Sequence, residues 1–477
     1  MFRLIKVKPG TGQQFVVPSH NPKEPFKSVI VGGNATGKTR FMVSIIEAFR
    51  GLAATKALSN DMVSRSYKKR TSFTPGFSFS YYMDGEKVDC KYDTKGLHVD
   101  VDGEPINHKE IPLPSRVIAI SASWNDKFPF SDTDEDNFYK YCGVRETSNA
   151  SWTATLSRRS IENLLNVPLR LHQESITELF EYLGVDTKLK ITFRFRNAED
   201  LLALIGDPHE LVSFVQSYSK NNSRMQVDFF KKFSLQDALR VEAGWNQISR
   251  KKTFELDVNL RHTTVDYSDA YFAINVFRRI GLITDVDLRV QKIDSTEAYP
   301  FASSSSGEAQ LLYCFSSIIR HAKDNCLIII DEPEISLHPA WQIKYISLLK
   351  RALSSFRGCH VLIATHSHFI VSDLASESSS LHIFKKIESV SDIRNVEYST
   401  YAWSADNILY DVFDVRNVGN LAFERDLELA LTLIAQKTTN FTELRALKQK
   451  FEKVLFQDSD PLKKVIDTIS EYVDGNH

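Results

Sequence analysis

The sequence is poor in several things that would each point to a function. It has five cysteines in 477 residues, and Cys90, Cys142, Cys314, Cys326 and Cys359 are scattered with no CxxC spacing. A disulfide framework and a zinc knuckle are thereby excluded, and a reducing cytoplasm fits best. No apolar run approaches the roughly 20 residues that a membrane helix needs, and the first residues lack a basic-then-apolar leader pattern. Net charge is nearly absent: 59 Lys+Arg face 60 Asp+Glu, for a formal −1. Bulk charge therefore argues for neither a nucleic acid nor a membrane surface. Internal repeats, long low-complexity segments and sustained coiled-coil heptads are missing as well. What remains, 42% hydrophobic and 25% charged, is ordinary globular composition with room for two or three domains.

Against that background one loop stands out. The β-branched run KSVIV at 27–31 reads as a buried strand and is followed directly by GGNATGKT. The pattern is GxxxxGK(S/T), from Gly32 to Thr39, and Phe41, Met42, Ile45, Ile46 and Phe49 then recur at helical spacing. A strand, a glycine-rich loop and a helix in this order turn backbone N–H groups and a helix dipole onto one polyphosphate. Gly32, Gly33, Asn34, Ala35, Thr36, Gly37 and Arg40 are the expected ATP-binding cradle. Lys38 is expected to reach the β- and γ-phosphates, and the Thr39 hydroxyl to ligate Mg²⁺.

A second apolar run, CLIIIDEPE at 326–334, ends in acids and reads as a central parallel strand opening into a crevice. Consecutive carboxylates at a buried strand end are costly without a cation or donor. Asp331 is expected to hold Mg²⁺ through water, and Glu332 to polarise an attacking water. A third run, HVLIATHSH at 360–368, places His366 at another strand end, where it could read a γ-phosphate. A metal pair with His368 is the other reading of that histidine.

The stretch SSSSGEAQLL at 303–312 looks like a linker, yet Leu311, Leu312, Phe315, Ile318 and Ile319 follow it at helical spacing. Ser306 stands where an N-cap belongs, ahead of Gly307 and Glu308, and the preceding DVDLRVQ (285–291) alternates like a strand. A serine-capped helix start is a second anion site. One chain needs a single phosphate cradle, so the phosphate met here is expected to belong to another subunit.

In order, GGNATGKT, SSSGEAQLL, IIIDEPEISLHP and IATHSHFIV resemble the Walker A, signature, Walker B with D-loop, and H-loop motifs of ABC-type ATPases. The SGE signature and the LHP after the acids look most like the SMC/RecF/OLD-like branch. The resemblance implies an α/β P-loop NTPase head: a mixed central sheet flanked by helices, with an antiparallel β-meander. It also implies head-to-tail dimerisation around two ATP molecules, with Ser306, Gly307 and Glu308 touching the partner's nucleotide. Glu332 is then the general base, Thr39 and Asp331 serve Mg²⁺, and Lys38 and His366 act on the γ-phosphate. The Q-loop glutamine has no match in IAISASWNDKF at 118–128, where Asn125 or Asp126 could substitute.

The expected organisation is an N-terminal lobe of the head at 1–145 and an inserted, mainly helical domain at 146–300. A C-terminal lobe at 301–400 and a helical region at 401–477 complete it. The segment 79–104 reads as a meander around Asp84-Gly85 and Asp102-Gly103. In the insert, helices are expected at 169–184 and 266–280 and isolated strands at 188–196 and 253–260. In the last region, helices are expected near 421–437 and 441–456, with the stripe Phe441, Leu444, Leu447, Phe451 and Leu455 packing onto the head. Basic clusters (Arg194 with Arg196; Arg250, Lys251 and Lys252; Arg65, Lys68, Lys69 and Arg70) are either grips for DNA or RNA or solvated faces.

No HNH pattern and no acidic cluster of the TOPRIM kind is present, so the chain is not expected to cut nucleic acid itself. The architecture is similar to stand-alone ATPases of bacterial anti-phage systems of the Septu kind, with the PARIS kind a near rival. This implies a sensor and scaffold that controls a separate HNH nuclease. A RecF-type DNA-repair ATPase and a transporter nucleotide-binding subunit are the alternatives.

Overall fold

The computed structural model describes residues 1–9, 14–18, 25–58, 76–94, 96–123, 125–130, 138–145, 152–166, 169–195, 205–217, 229–250, 254–261, 266–375, 377–387, 390–396, 400, 403, 405–413, 421–436, 441–452 and 461–475. They fall into two compact units, Met1–Ala405 and Asp406–His477. Among them, no helix is long and apolar enough to cross a membrane. All five cysteines are buried and unbridged.

The first unit is organised by a seven-stranded sheet. Its order is Val390–Val396, Ser379–Ile387, Phe26–Gly32, His360–Thr365, Leu327–Asp331, Val117–Ser121 and Tyr139–Gly143. All neighbours are parallel except the first pair. Every residue of Phe26–Gly32, Leu327–Asp331 and His360–Thr365 is buried, as expected of apolar runs covered on both faces. Their register aligns the carboxyl ends: Asp331 pairs with Ala364 and Ser121, and Thr365 with Val31. The helix Lys38–Leu58 leaves that edge, and Phe41, Met42, Ile45, Ile46 and Phe49 are all buried beneath it.

The expected meander is a six-stranded antiparallel sheet that begins with Phe2–Lys8 and includes Ser78–Met83, Glu86–Asp93 and Gly96–Val101. Its hairpins turn at Asp84-Gly85 and Asp102-Gly103, where all four residues have positive φ. Phe49 packs against Phe2, Phe79 and Tyr81, so the P-loop helix is clamped between the two sheets.

The middle of the chain departs from expectation. Lys188–Phe195 and Phe254–Asn259 are not isolated strands but belong to a five-stranded antiparallel sheet, in which Lys188–Phe195 also pairs with Ile283–Gln291. Partners some 60 to 100 residues apart leave no local trace of pairing. Phe193 is buried on one face, against Phe195 and Phe254, and Arg194 is exposed on the other. The helix Trp152–Leu165 is joined to the helix Ser306–His321: Asn163 donates to Ser317 Oγ at 2.8 Å, and Arg320 pairs with Glu162 at 3.1 Å. Of the basic clusters, Arg65, Lys68, Lys69, Arg70, Arg196, Lys251 and Lys252 lie outside the described residues.

In the second unit, helices Leu421–Ala435, Phe441–Phe451 and Pro461–Gly475 share a small core of Ala430, Leu447, Phe451, Ile466 and Ile469. Leu447 and Phe451 of the expected stripe lie in this core, and a third amphipathic helix at 461–475 supplies Ile466 and Ile469 to it. Leu455 lies outside the described residues.

A buried polar chain ties the six-stranded sheet to the seven-stranded sheet. The Leu4 N–H donates to His360 Nδ1 at 3.0 Å, so the proton of neutral His360 sits on Nε2, 2.9 Å from Ser28 Oγ. Ser28 lies 2.8 Å from Ser380 Oγ, which lies 2.9 Å from His382 Nε2, and His382 Nδ1 lies 2.8 Å from Asn395 Oδ1. One donor direction satisfies every link. Burial, with Arg3 and His382 nearby, holds His360 well below the usual imidazole range; burial pushes His382 down to about 4, against a smaller opposing contribution from Asn395. Both rings fold neutral, whereas the unfolded chain takes up a proton at each below about pH 6.5. Stability is therefore expected to be complete above that pH and to fall towards pH 4, by up to about 1.4 kcal/mol per pH unit for each ring. Denaturant midpoints at pH 7.5 and 5.5 measure this; equal midpoints in the wild type would contradict it.

Candidate functional site

The P-loop is built by a backbone that few sequences tolerate. Ala35 and Gly37 have φ of 60° and 97°, and a Cβ on Gly32 would lie 2.3 Å from the Phe384 carbonyl oxygen. Thr36 is buried and donates to the Gly33 carbonyl at 2.9 Å, closing the curl, while Gly33, Asn34, Ala35 and Arg40 face solvent. Lys38 is buried at the centre. Its Nζ donates to the carbonyls of Gly32 at 2.8 Å and Gly33 at 3.2 Å, and lies 2.8 Å from His366 Nε2. Burial lowers the Lys38 pKa, against the opposing pull of Glu332, Asp331 and Glu334. His366 is likewise lowered by burial and by Lys38, so its neutral ring can accept from the ammonium.

The Thr39 hydroxyl donates to Asp331 Oδ2 at 2.8 Å. The other oxygen, Asp331 Oδ1, is buried without a hydrogen-bond partner, and burial pushes this carboxyl up to about 7. A hard divalent cation on Thr39 and Asp331 would repay both costs, so the donor set fits Mg²⁺ held by few protein oxygens plus phosphates. Among the described residues, no group of three or more His, Cys, Asp and Glu forms a metal cluster, which leaves the His366/His368 metal reading without support.

Glu332 has φ of 51°, a left-handed conformation that places its carboxylate 3.7 Å from His366 Nε2. Lys38, Thr39, Asp331, Glu332 and His366 thus converge at the carboxyl edge of three adjacent parallel strands. Beside the Walker B strand runs Val117–Ser121, and the loop after it is where a Q-loop belongs. Asp126 is spent there, accepting from the Phe128 N–H at 3.0 Å and the Tyr141 hydroxyl at 2.5 Å. Asn125 is the exposed candidate.

The helix Ser306–His321 is capped by Ser305, not Ser306. Ser305 Oγ accepts from the Glu308 N–H at 3.2 Å, and the Glu308 carboxylate accepts from the Ser305 N–H at 2.9 Å, which makes a capping box. Ser306 is the first helical residue. Glu308 is also ion-paired with Lys292 at 2.6 Å, and Gly307 is buried against the D-loop. The first N–H groups of the helix are thus gathered at a serine-rich turn.

The fold is an α/β P-loop fold that resembles an ABC-type ATPase head. Strand order and the convergence of the Walker residues decide it, and the chain resembles the SMC/RecF/OLD-like branch of these ATPases. Residues 190–372 match the AAA domain family whose description names an AbiEii toxin and a type IV TA system. The Septu protein PtuA of Bacillus thuringiensis is 35% identical over 88 residues, which are 18% of this chain and 22% of that protein. The chain thus spans about a fifth of the length of that curated relative. Among solved structures, the SMC head bound to the C-winged helix domain of ScpA gives a TM-score of 0.37 at 11% identity, covering 83% of this chain and 97% of that one. The SMC head domain from Thermotoga maritima gives 0.35 at 11% identity, covering 83% and 100%.

Two polar residues of the head, half-buried Glu334 and buried Gln310, escaped the sequence reading. Glu334, the last acid of DEPE, accepts from the Thr365 hydroxyl at 2.8 Å and from the His366 N–H, fixing the H-loop to the Walker B turn. Burial raises its pKa. Gln310 donates to the Pro333 carbonyl at 3.0 Å. The available signals were a third carboxylate within four residues and a lone amide directly ahead of the apolar pair Leu311-Leu312.

Proposed function

We propose that the chain binds and hydrolyses ATP with Mg²⁺ between two copies of its head, and that the closed dimer acts as a sensor and scaffold controlling a separate nuclease in anti-phage defence. The observation that carries the ATPase reading is the grouping of Lys38, Thr39, Asp331, Glu332 and His366, with one unpartnered oxygen of Asp331 left for a cation. Lys38 and the P-loop N–H groups bind the phosphates, leaving His366 free to meet the γ-phosphate once the lysine turns to the nucleotide. Glu332 takes the proton of the attacking water. Mg²⁺ on Thr39 and Asp331 would neutralise charge on the β- and γ-oxygens. Ser306 and Gly307 contact the nucleotide of the second copy, so closure depends on triphosphate and reverses on hydrolysis.

The partial identity to the Septu protein PtuA supports the likeness to ATPases of the Septu kind, and a partner nuclease of the HNH kind is what the resemblance implies. In cells carrying this gene with the genes that flank it, Lys38→Ala is expected to raise phage plaquing to the level of an empty vector. Undiminished protection by that variant would sink the defence reading.

A further inference from the structure

We propose that Gln310, on the helix that carries the serine-rich turn, is a positioning residue for Glu332 of its own chain. The inference rests on the ATPase reading and extends it to a residue of the signature stretch that the motif comparison leaves without a role.

The starting point is the unfavourable backbone of Glu332. A non-glycine residue at φ 51° relaxes to ordinary backbone unless its surroundings hold it. The Glu332 N–H is held by the Ala364 carbonyl at 2.9 Å, and its carbonyl accepts from the Ile335 N–H at 3.2 Å. Two residues on, Glu334 is anchored to the H-loop through Thr365 and His366. The remaining hold comes from another element: Gln310 Nε2 takes the carbonyl of Pro333, the residue directly after Glu332.

Gln310 does not act alone on this face. Gly307 precedes it by three residues, hence on the same side of the helix. A Cβ there would lie 2.7 Å from the Ser336 carbonyl oxygen and 2.7 Å from the Trp341 ring. Ser336 itself has φ of 62°. The helix is therefore seated on the turn 333–336 at both ends, by a glycine without clearance and by an amide hydrogen bond. A displacement of its N-terminus has no slack in which to dissipate, and it reaches Pro333 and the carboxylate beside it.

The amide is also a poor choice for packing alone. Gln310 is 5% exposed, its Oε1 has no hydrogen-bond partner, and it lines a largely apolar cavity with Leu311, Ile330 and Leu337. A buried acceptor left unpaired costs stability that an apolar side chain of the same size would not. What the glutamine supplies, and an apolar residue cannot, is the donor to Pro333. Contact of the helix start with the nucleotide of a second copy thereby acts on the general base of the first.

Gln310→Met keeps the volume and removes the donor. The expected result is a kcat about ten- to a hundredfold lower, as for a modest misplacement of a catalytic group, with ATP affinity by calorimetry unchanged within about twofold. In a Glu332→Gln background the same substitution is expected to lower the residual rate by less than about twofold, because both changes act through one group. If the Met variant does not fold, Gln310→Ala, which adds no volume to the cavity, carries the same test. A wild-type kcat in a folded variant, or a loss confined to ATP affinity, overturns the inference alone. A wild-type chain without ATP turnover overturns the ATPase reading and this inference together.

Discussion

Glu332→Gln is expected to lower ATP turnover by at least about a hundredfold, the usual worth of a general base, while ATP binding stays within about twofold of wild type. The substitution keeps shape and hydrogen-bonding reach, so the left-handed turn at Glu332 and its hold on the Ala364 carbonyl persist. What disappears is the carboxylate proposed to take the proton from water, 3.7 Å from His366 Nε2. Binding without hydrolysis also leaves nothing to open the dimer, so mass photometry with ATP is expected to find the variant at twice its monomer mass. An unaffected rate would remove Glu332 from the base role.

Lys38→Ala is expected to abolish measurable ATP binding in a titration at micromolar protein. The ammonium is buried among the carbonyls of Gly32 and Gly33 and the ring of His366, all of which it can exchange for phosphate oxygens. Hydrogen bonds to a charged group contribute about 1.5–3 kcal/mol each, so losing two weakens binding on the order of a hundredfold or more. Burial already lowers the Lys38 pKa, which marks the nucleotide-free state as a costly place for this charge. The variant is expected to fold while failing to bind ATP. A wild-type binding isotherm would contradict this.

How much of this was legible beforehand depends on how local each feature is. The P-loop, the Walker B strand and the H-loop strand each write themselves into one short stretch, an apolar run ending in polar residues, and all three stand where expected. The sheet around Lys188–Phe195 is different, since its partners lie far along the chain and pairing leaves no local periodicity. The cap at Ser305 was readable in principle. Any of four serines can cap, but the S-x-x-E spacing of a capping box picks Ser305 through Glu308. Asp126 looked free for Mg²⁺ until Tyr141, from the next strand, took its carboxylate. Glu334 and Gln310 went unread for the same reason, because their meaning lies in partners supplied by other elements.

The central claim is that each ATP is held by the P-loop of one copy and the serine-capped helix of another. Lys38→Ala spoils the first half of a site and Ser306→Arg the second, so each homodimer is expected to be inactive. A mixed dimer concentrates both lesions in one site and leaves the other intact. Mixing the two variants in equal amounts should then restore up to about a quarter of wild-type ATP turnover, since about half the dimers are mixed and each keeps one good site. A mixture no more active than its two parents would contradict the shared site.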